Sequence, residues 1–220
     1  MHRHFDEDLK NLKNIILDMA KLVDSQVDRA FDALLNCDQV LALETSMNDM
    51  EINRFENLID ETSEKIIALH QPVANDLRLI IAVLKINNDL ERMGDICKNI
   101  CERVPKLKDH KNLISESDIR HMKEVIQSMI KQAIESFINL DVPLAKKVIF
   151  TDDVVDRYDT DITNYYVDLM HKNNDIILPA TVILTIIKNM ERLADHATNI
   201  AEDVVFLKDG TIVKHRKELL

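Results

Sequence analysis

The sequence predicts an all-α protein made of two tandem three-helix bundles that are related by internal pseudo-symmetry. Three observations predict this fold class. The 220 residues include only 2 glycines and 4 prolines, and strands joined by tight turns usually need more of both. Long stretches carry apolar residues at the 3.6-residue period of a helix. The same residue pattern also occurs twice along the chain, which is typical of an internal repeat.

Three long helices are expected in the first half. The first runs from about Phe5 to Leu35 and ends near the sequence NCDQ. The second runs from about Gln39 to His70, because Pro72 disfavours a helix at that point. The third runs from about Val73 to Val104 and stops before Pro105.

Three further helices are expected in the second half. After the polar stretch PKLKDHKNLI, Ser115 and Asp118 have capping-box spacing and predict a helix from Asp118 to about Leu140. The next starts at Pro143 and ends near HKNND, and the last runs from about Pro179 to Leu207 before the stop KDG. The predicted organisation is a first repeat over 1–105, a linker over 106–115, a second repeat over 116–208 and a tail over 209–220.

The two halves share residue identity as well as spacing. In the first two helices of each half, five residues recur at an offset of 103: Ala30, Asp38, Ala42, Asp49 and Arg54 correspond to Ala133, Asp141, Ala145, Asp152 and Arg157. In the third and sixth helices the offset is 100, and Glu91, Arg92, Asp95 and Asn99 correspond to Glu191, Arg192, Asp195 and Asn199. Agreement in both respects favours a duplication over chance similarity.

The repeated acidic pairs need an explanation, because like charges four residues apart destabilise a helix by a few tenths of a kcal/mol, roughly. A turn of about 100° per residue places Glu91, Asp95 and Asn99 on one stripe, away from the apolar seam that faces the bundle. One interpretation is a solvated acidic face, in which Arg92 and Arg192 relieve the repulsion between the carboxylates. The other is a pair of oxygen sites for a hard cation.

The stretches QPVANDLRLIIAVLKINNDLERMGDICKNI and ERLADHATNIAEDVVFLKDG resemble the PhoU family of phosphate-signalling proteins. The resemblance covers nearly the whole chain. It implies a non-enzymatic cytoplasmic adaptor, often a homodimer, that acts with the ATPase subunit of a phosphate ABC transporter or with a sensor histidine kinase. Such an adaptor is a negative regulator, since it keeps phosphate-starvation signalling off when phosphate is plentiful.

The resemblance also implies metal ions at the two acidic motifs. The implied ligands in this chain are Glu91, Asp95, Glu191 and Asp195, with Asn99, Asn199, Asp49 and Asp152 as weaker candidates. The metal would be iron, zinc, magnesium or manganese. Cys97 and Cys101 stand where the second half has alanines, and we interpret them as small core residues rather than a redox pair.

Composition restricts the other classes of function. A net charge of −11 argues against a large nucleic-acid interface. The N-terminus has no apolar signal core, no window predicts an integral membrane segment, and three cysteines suit a reducing compartment, so we expect a cytoplasmic protein.

Two alternatives remain. A di-metal carboxylate enzyme would need Glu-x-x-His on two helices facing the core, which the sequence lacks, and no glycine-rich phosphate loop is present. A helical scaffold whose acidic stripes bind basic partners without metal would share the same fold.

Overall fold

The computed structural model describes residues 2–210, except for the side chains of residues 2, 3 and 49. Most of the predicted tail, residues 211–220, lies outside this range. The helices are α1 (His2–Asn36), α2 (Gln39–Met47), α3 (Asp49–His70), α4 (Ala74–Cys101), α5 (Lys111–Ser115), α6 (Ile119–Asn139), α7 (Val142–Lys172) and α8 (Ile177–Asp209). Short 3₁₀ turns cover Val104–Leu107 and Asn174–Ile176. Within residues 2–210, no helix combines the length and apolar character that crossing a bilayer requires.

The helices form the two predicted bundles. α1, α2–α3 and α4 pack together in the first half, and α6, α7 and α8 pack together in the second. The halves join where α4 packs on α8 and α1 packs on α6. The α4–α8 pair is antiparallel, since Lys85 contacts Asp203 at 2.8 Å while Asp89, further along α4, contacts His196, earlier on α8, at 2.7 Å. Buried aliphatic residues from both halves form one continuous core.

The predicted second helix is interrupted. Asn48 ends α2, and its backbone N–H bonds to the carbonyl of Thr45, which tightens the last turn. The Thr45 hydroxyl in turn donates to the Leu41 carbonyl at 2.7 Å. Side chains of this kind compete with the backbone for hydrogen bonds and weaken a helix interior. The equivalent helix α7 is continuous, so the interruption is a local property of the first half.

The predicted linker is more structured than its polar sequence indicates. It contains a 3₁₀ turn and α5, and it buries Leu107, Leu113 and Ile114. The predicted capping box is wrong: the Ser115 hydroxyl donates to the Asn112 carbonyl, and Asp118 caps α6 without a side-chain hydrogen bond. The 106–115 segment therefore packs on the core and does not act as a flexible tether.

The turn that follows the first helix of each half has the same backbone geometry twice. Cys37 has φ of 51° and Leu140 has φ of 50°, a left-handed conformation that is uncommon for residues other than glycine. The next residue is an aspartate in both turns, and its N–H bonds at 2.9 Å to a carbonyl five positions earlier. Asp38 accepts from the N–H groups of Val40 and Leu41, and Asp141 accepts from Leu144.

Removing these aspartate caps is expected to destabilise both halves. Asp38→Ala and Asp141→Ala should each lower the free energy of unfolding by about 1 kcal/mol, since N-terminal N–H groups lose their acceptor. The loss should be larger at Asp38, which accepts two hydrogen bonds where Asp141 accepts one. Denaturation in urea would measure both. Asn at either position keeps the acceptor, so equal losses for Ala and Asn would contradict the capping role.

Candidate metal site

The acidic pair of the second half lies where α8 faces α7. Glu191 is half-buried and Asp195, one turn later, is exposed. Asp156 and Asp159 of α7 lie close enough for their charges to act on the α8 carboxylates. These four residues, Asp156, Asp159, Glu191 and Asp195, are called the second-half cluster below. It brings carboxylates from two helices together on one face of the bundle.

The second-half cluster carries more negative charge than its surroundings compensate. Burial raises the pKa of Glu191, and the neighbouring Asp195 charge raises it further. The pKa of Asp195 is raised by partial burial of its carboxylate and then by Asp156. Water screens part of the effect at Asp195, because that residue is exposed. The part of each shift that comes from neighbouring carboxylates is repulsion that a nearby cation would reduce.

One cation of the chain already reaches the cluster. The Lys188 ammonium donates to Asp159 Oδ2 at 2.7 Å, and this hydrogen bond raises the pKa of Lys188. Asp159 is only 9% exposed, and its other oxygen, Oδ1, is buried without a hydrogen-bond partner. A buried carboxylate oxygen in this state is costly, so the site has unused capacity for a ligand or water.

The acidic pair of the first half has a different setting. Glu91 and Asp95 are half-buried on α4, and Arg92 Nε lies 3.5 Å from Glu91 Oε2. Residues equivalent to Asp156 and Asp159 are Asn53 and Glu56 on α3, so this half has fewer acidic side chains at those two positions. Asp60 of α3 accepts from Asn87 of α4 at 3.0 Å.

The weaker candidates are placed as follows. The Asn99 amide donates to the Asp95 backbone carbonyl at 2.9 Å, on its own helix. The Asn199 amide donates at 3.1 Å to Asp89 across the interface between the halves, beside His196. Asp152 is half-buried on α7, one turn before Asp156. The Asp49 side chain lies outside the described residues.

Sequence reasoning missed Asp156 and Asp159. With Asp152 they have the 4-then-3 spacing that places side chains on one helix face. That spacing was a usable indication, but the facing of α7 towards α8 was needed to connect it with Glu191. The interpretation of the cysteines agrees with the structure: Cys97 and Cys101 are buried, and burial raises the pKa of Cys101 to about 12.

The donor chemistry fits a metal, whereas the present side-chain geometry does not. Carboxylate oxygens are the ligands that hard cations prefer. Among the residues that the structure describes, however, no three His, Cys, Asp or Glu side chains converge closely enough to hold an ion. Side-chain rotation on α7 and α8 would be required to form a complete ligand set.

Comparison with known proteins matches the same family in both halves of the chain. The PhoU domain model matches residues 16–104 and 119–204. The phosphate-specific transport system accessory protein PhoU homolog of Pseudomonas aeruginosa is 35% identical over 214 residues, covering 97% of this chain and 88% of the relative. The homolog of Aquifex aeolicus is 37% identical over 210 residues, covering 96% and 95% respectively.

Solved structures of similar proteins share the whole fold. The crystal structure of PhoU from Pseudomonas aeruginosa superimposes with a TM-score of 0.88 at 34% identity, covering 94% of this chain and 100% of that one. The phosphate transport system regulatory protein PhoU from Streptococcus pneumoniae gives a TM-score of 0.85 at 29% identity, covering 95% and 99%. Both comparisons include the two bundles and the interface between them.

Proposed function

This chain belongs to the PhoU family, and from that premise we propose that it is a non-enzymatic regulator of phosphate uptake that binds metal at its acidic motifs. The observation that carries the regulatory role is the nearly full-length similarity to proteins named as accessory proteins of phosphate-specific transport. The metal-binding role is supported by the repeated acidic pairs and by the raised pKa values of Glu191 and Asp195.

The regulator acts by protein contact in the cytoplasm. Its partners are the ATPase subunit of a phosphate ABC transporter and a sensor histidine kinase, and contact with them keeps starvation signalling off while phosphate is plentiful. The protein itself is a homodimer. A bound metal would change the charge that the acidic motifs of α4 and α8 present, and charge on a docking face controls both affinity and the rate of association.

The residues of the acidic motifs have separable tasks in this account. A bound divalent cation would supply positive charge and cross-link α7 to α8. Glu191 and Asp195 would bind it from α8, with Asp156 and Asp159 placed opposite on α7. In the first half, Glu91 and Asp95 would do the same from α4. The bound cation would thereby reduce the repulsion within each carboxylate pair and fix the local side-chain arrangement.

A second candidate function is a scaffold that binds basic partners directly through the acidic faces. Two observations favour it: no three ligands converge in the described residues, and Lys188 shows that the second-half cluster accepts an ammonium group. An arginine or lysine of a partner would then take the place of the metal.

Binding to the isolated ATPase subunit of the same organism's phosphate transporter tests the proposal and separates these two functions. We expect binding that is lost on treatment with a chelator and restored by adding back the metal. The matched control is Glu61→Gln with Glu64→Gln, an exposed acidic pair on α3. Binding that ignores the chelator but weakens steeply with salt would favour the scaffold. Absence of binding to both the ATPase subunit and the sensor kinase would contradict the regulatory role.

A further inference from the structure

We propose that residues 211–220, called the C-terminal segment below, bind along a groove between α1 and α6 and thereby hold the two halves of the chain together. The occupant of the groove is thus a segment of the same chain. Ile212 and Val213 fill the apolar part of the groove, and the basic residues that follow them lie over its acidic part. This surface is separate from the acidic motifs, so the inference does not depend on metal binding.

The groove lies at the junction of the two halves. Its first part has a volume of about 90 Å³, and its apolar lining comes from Leu17 of α1, Leu79 of α4 and the end of α6: Phe137, Ile138 and Leu140. A water-sized group occupies roughly 10–15 Å³, so this part has room for one or two aliphatic side chains. Ile138 is 53% exposed and Leu140 is 37% exposed, so the described residues leave apolar surface uncovered here.

The equivalent end of the first half is covered by the chain that follows α4. Leu35 and Cys37, which correspond to Ile138 and Leu140, are only partly exposed and pack against the core. The short helix α5 packs on α1. Burial raises the pKa of the Cys37 thiol, and the charge of Lys111, the first residue of α5, opposes this rise, so α5 begins close to that turn.

The internal repeat continues past the end of α8. The sequence LKD over 107–109 recurs as LKD over 207–209, at the offset of 100 that relates α4 to α8. The buried apolar pair Leu113–Ile114 follows the first copy. The apolar pair Ile212–Val213 follows the second copy, one position closer to it. Because repeated segments pack in similar places, the second pair is expected to cover the end of α6.

The end of α8 lies beside this groove. A β-carbon on Gly210 would lie 3.1 Å from Nη1 of Arg78, so the end of α8 touches that guanidinium group. Leu79, the next residue on α4, lines the groove. An extended chain advances roughly 3.3 Å per residue, which lets Ile212 and Val213 lie up to roughly 7 and 10 Å beyond Gly210. Both side chains are therefore within reach of the groove.

The second part of the groove contains acidic side chains. It continues from Ile138 into a pocket of about 180 Å³ between α1 and α6 that is lined by Asp24 and Glu135. Burial raises the pKa of Asp24 although the Lys131 charge opposes the rise, and Asp24 Oδ1 has no hydrogen-bond partner among the described residues. The two lysines of this pocket already contact other carboxylates: Lys21 lies 2.9 Å from Asp18, and Lys131 lies 3.6 Å from Asp28.

The C-terminal segment has the matching order of side chains. Its apolar pair comes first, and Lys214, Arg216 and Lys217 follow. Leu17 and Asp24 mark the two parts of the groove and lie roughly 10 Å apart along α1, at 1.5 Å per residue. The C-terminal segment can extend over roughly 33 Å, so it is long enough to cover both parts.

Cross-linking in the full-length protein tests the position of the C-terminal segment. Val213→Cys is combined with Ile138→Cys in a Cys37→Ser background, and a bismaleimide joins thiols that lie close together. The other two native cysteines are buried. The control combines Val213→Cys with Val40→Cys, an exposed apolar position on α2, in the same background. A chelator is present throughout. We expect the first pair to cross-link within one chain and the control pair not to do so.

Protection from trypsin tests the same contact without changing the C-terminal segment. Ile138→Gln removes apolar surface from the groove and leaves the sequence around Lys214 intact. We expect cleavage after Lys214 to be roughly tenfold faster in this variant than in the wild type, because the segment loses a buried apolar contact and is released more often. Val40→Gln is the matched control and should not change this rate. Cleavage after Lys65, on α3, should be equally slow in all three proteins if they are folded.

Two results would overturn the inference. One is an intramolecular cross-link at Ile138 that is no more abundant than in the control pair. This includes a cross-link that forms only between two chains, which would mean that the groove binds the segment of a second copy. The other is cleavage after Lys214 at the same rate in the wild type and in Ile138→Gln. Neither result would bear on the proposed metal-binding or regulatory function.

Discussion

Replacing Glu191 with Gln and Asp195 with Asn together is expected to raise the melting temperature of the metal-free protein at pH 7. We expect a rise of roughly 2–4 °C, which corresponds to about 1 kcal/mol in a chain of this size. The reason is that both carboxylates have raised pKa values in the folded state, so ionising them at neutral pH destabilises it. We expect only this small rise in melting temperature, because Asp195 is exposed and water screens its charge.

The pH dependence of stability follows from the sign of these shifts. A group whose folded pKa is raised contributes stability that is fully present below its unfolded pKa, here the ordinary values of 4.5 for Glu191 and 3.8 for Asp195. That contribution is lost as the pH rises through the higher folded values. These two groups therefore favour the metal-free folded state increasingly as the pH falls below neutrality, and the amide variant lacks this gain.

Divalent metal should reverse the order of the two proteins. At a free concentration about a hundredfold above Kd, binding to one site stabilises the folded state by about 2.7 kcal/mol. The wild-type melting temperature should then rise by roughly 5–10 °C. In the amide variant, the melting temperature should rise less, because metal binding at the second-half site no longer contributes.

Melting with chelator and with Mn²⁺ at pH 7 measures both effects. The control is the exposed pair Glu61 and Glu64, changed to glutamine. Two results would contradict the proposed role of the cluster. One is an amide variant that melts at a lower temperature than wild type in chelator, and the other is an amide variant whose melting temperature rises as much with Mn²⁺ as that of wild type.

Tyr166→Phe is expected to lower the free energy of unfolding by about 1–3 kcal/mol, the cost of leaving a buried polar group unsatisfied. The Tyr166 side chain is fully buried on α7, and its hydroxyl donates to the Leu113 carbonyl of α5 at 2.7 Å. Its oxygen also lies 3.1 Å from Ser117 Oγ. Removing the hydroxyl leaves the carbonyl without this donor and weakens the attachment of the 106–115 segment to the second bundle.

Denaturation in guanidinium chloride measures this loss, and the neighbouring Tyr165→Phe is the matched control. Tyr165 is 36% exposed, and its substitution should change the free energy of unfolding by less than about 0.5 kcal/mol. Burial raises the pKa of Tyr166 to about 12, so the hydroxyl stays protonated and the loss should not vary between neutral pH and moderately alkaline pH. Equal losses at the two tyrosines would show that the buried hydrogen bond has no special role.

The sequence predicted those features that depend on local pattern. The long helices follow from their apolar period, and the correspondence of Asp38 with Asp141 follows from the duplication, although the role of both residues as N-caps was seen only in the structure. The buried cysteines follow from the apolar seam of α4. The helix ends differ from those predicted: α4 stops at Cys101, and α8 starts at Ile177, which places Pro179 in its first turn.

Features that depend on how helices face each other were not predictable. The second-half cluster requires α7 to lie against α8, so that Asp156 and Asp159 meet Glu191. Asn199 shares the acidic spacing, yet it contacts Asp89 because α4 covers that side of α8. A helical stripe about 100° wide meets two neighbours at once, and sequence spacing cannot assign a residue to one of them.

The most direct test of metal binding at the repeated acidic pairs is elemental analysis of the protein purified without added metal. It is compared with the variant in which Glu91, Asp95, Glu191 and Asp195 are all changed to their amides, after circular dichroism has shown that the variant is folded. We predict stoichiometric metal in the native protein and none in the variant. Equal metal content in both proteins, or no metal in the native protein, would contradict the assignment of these carboxylates as ligands.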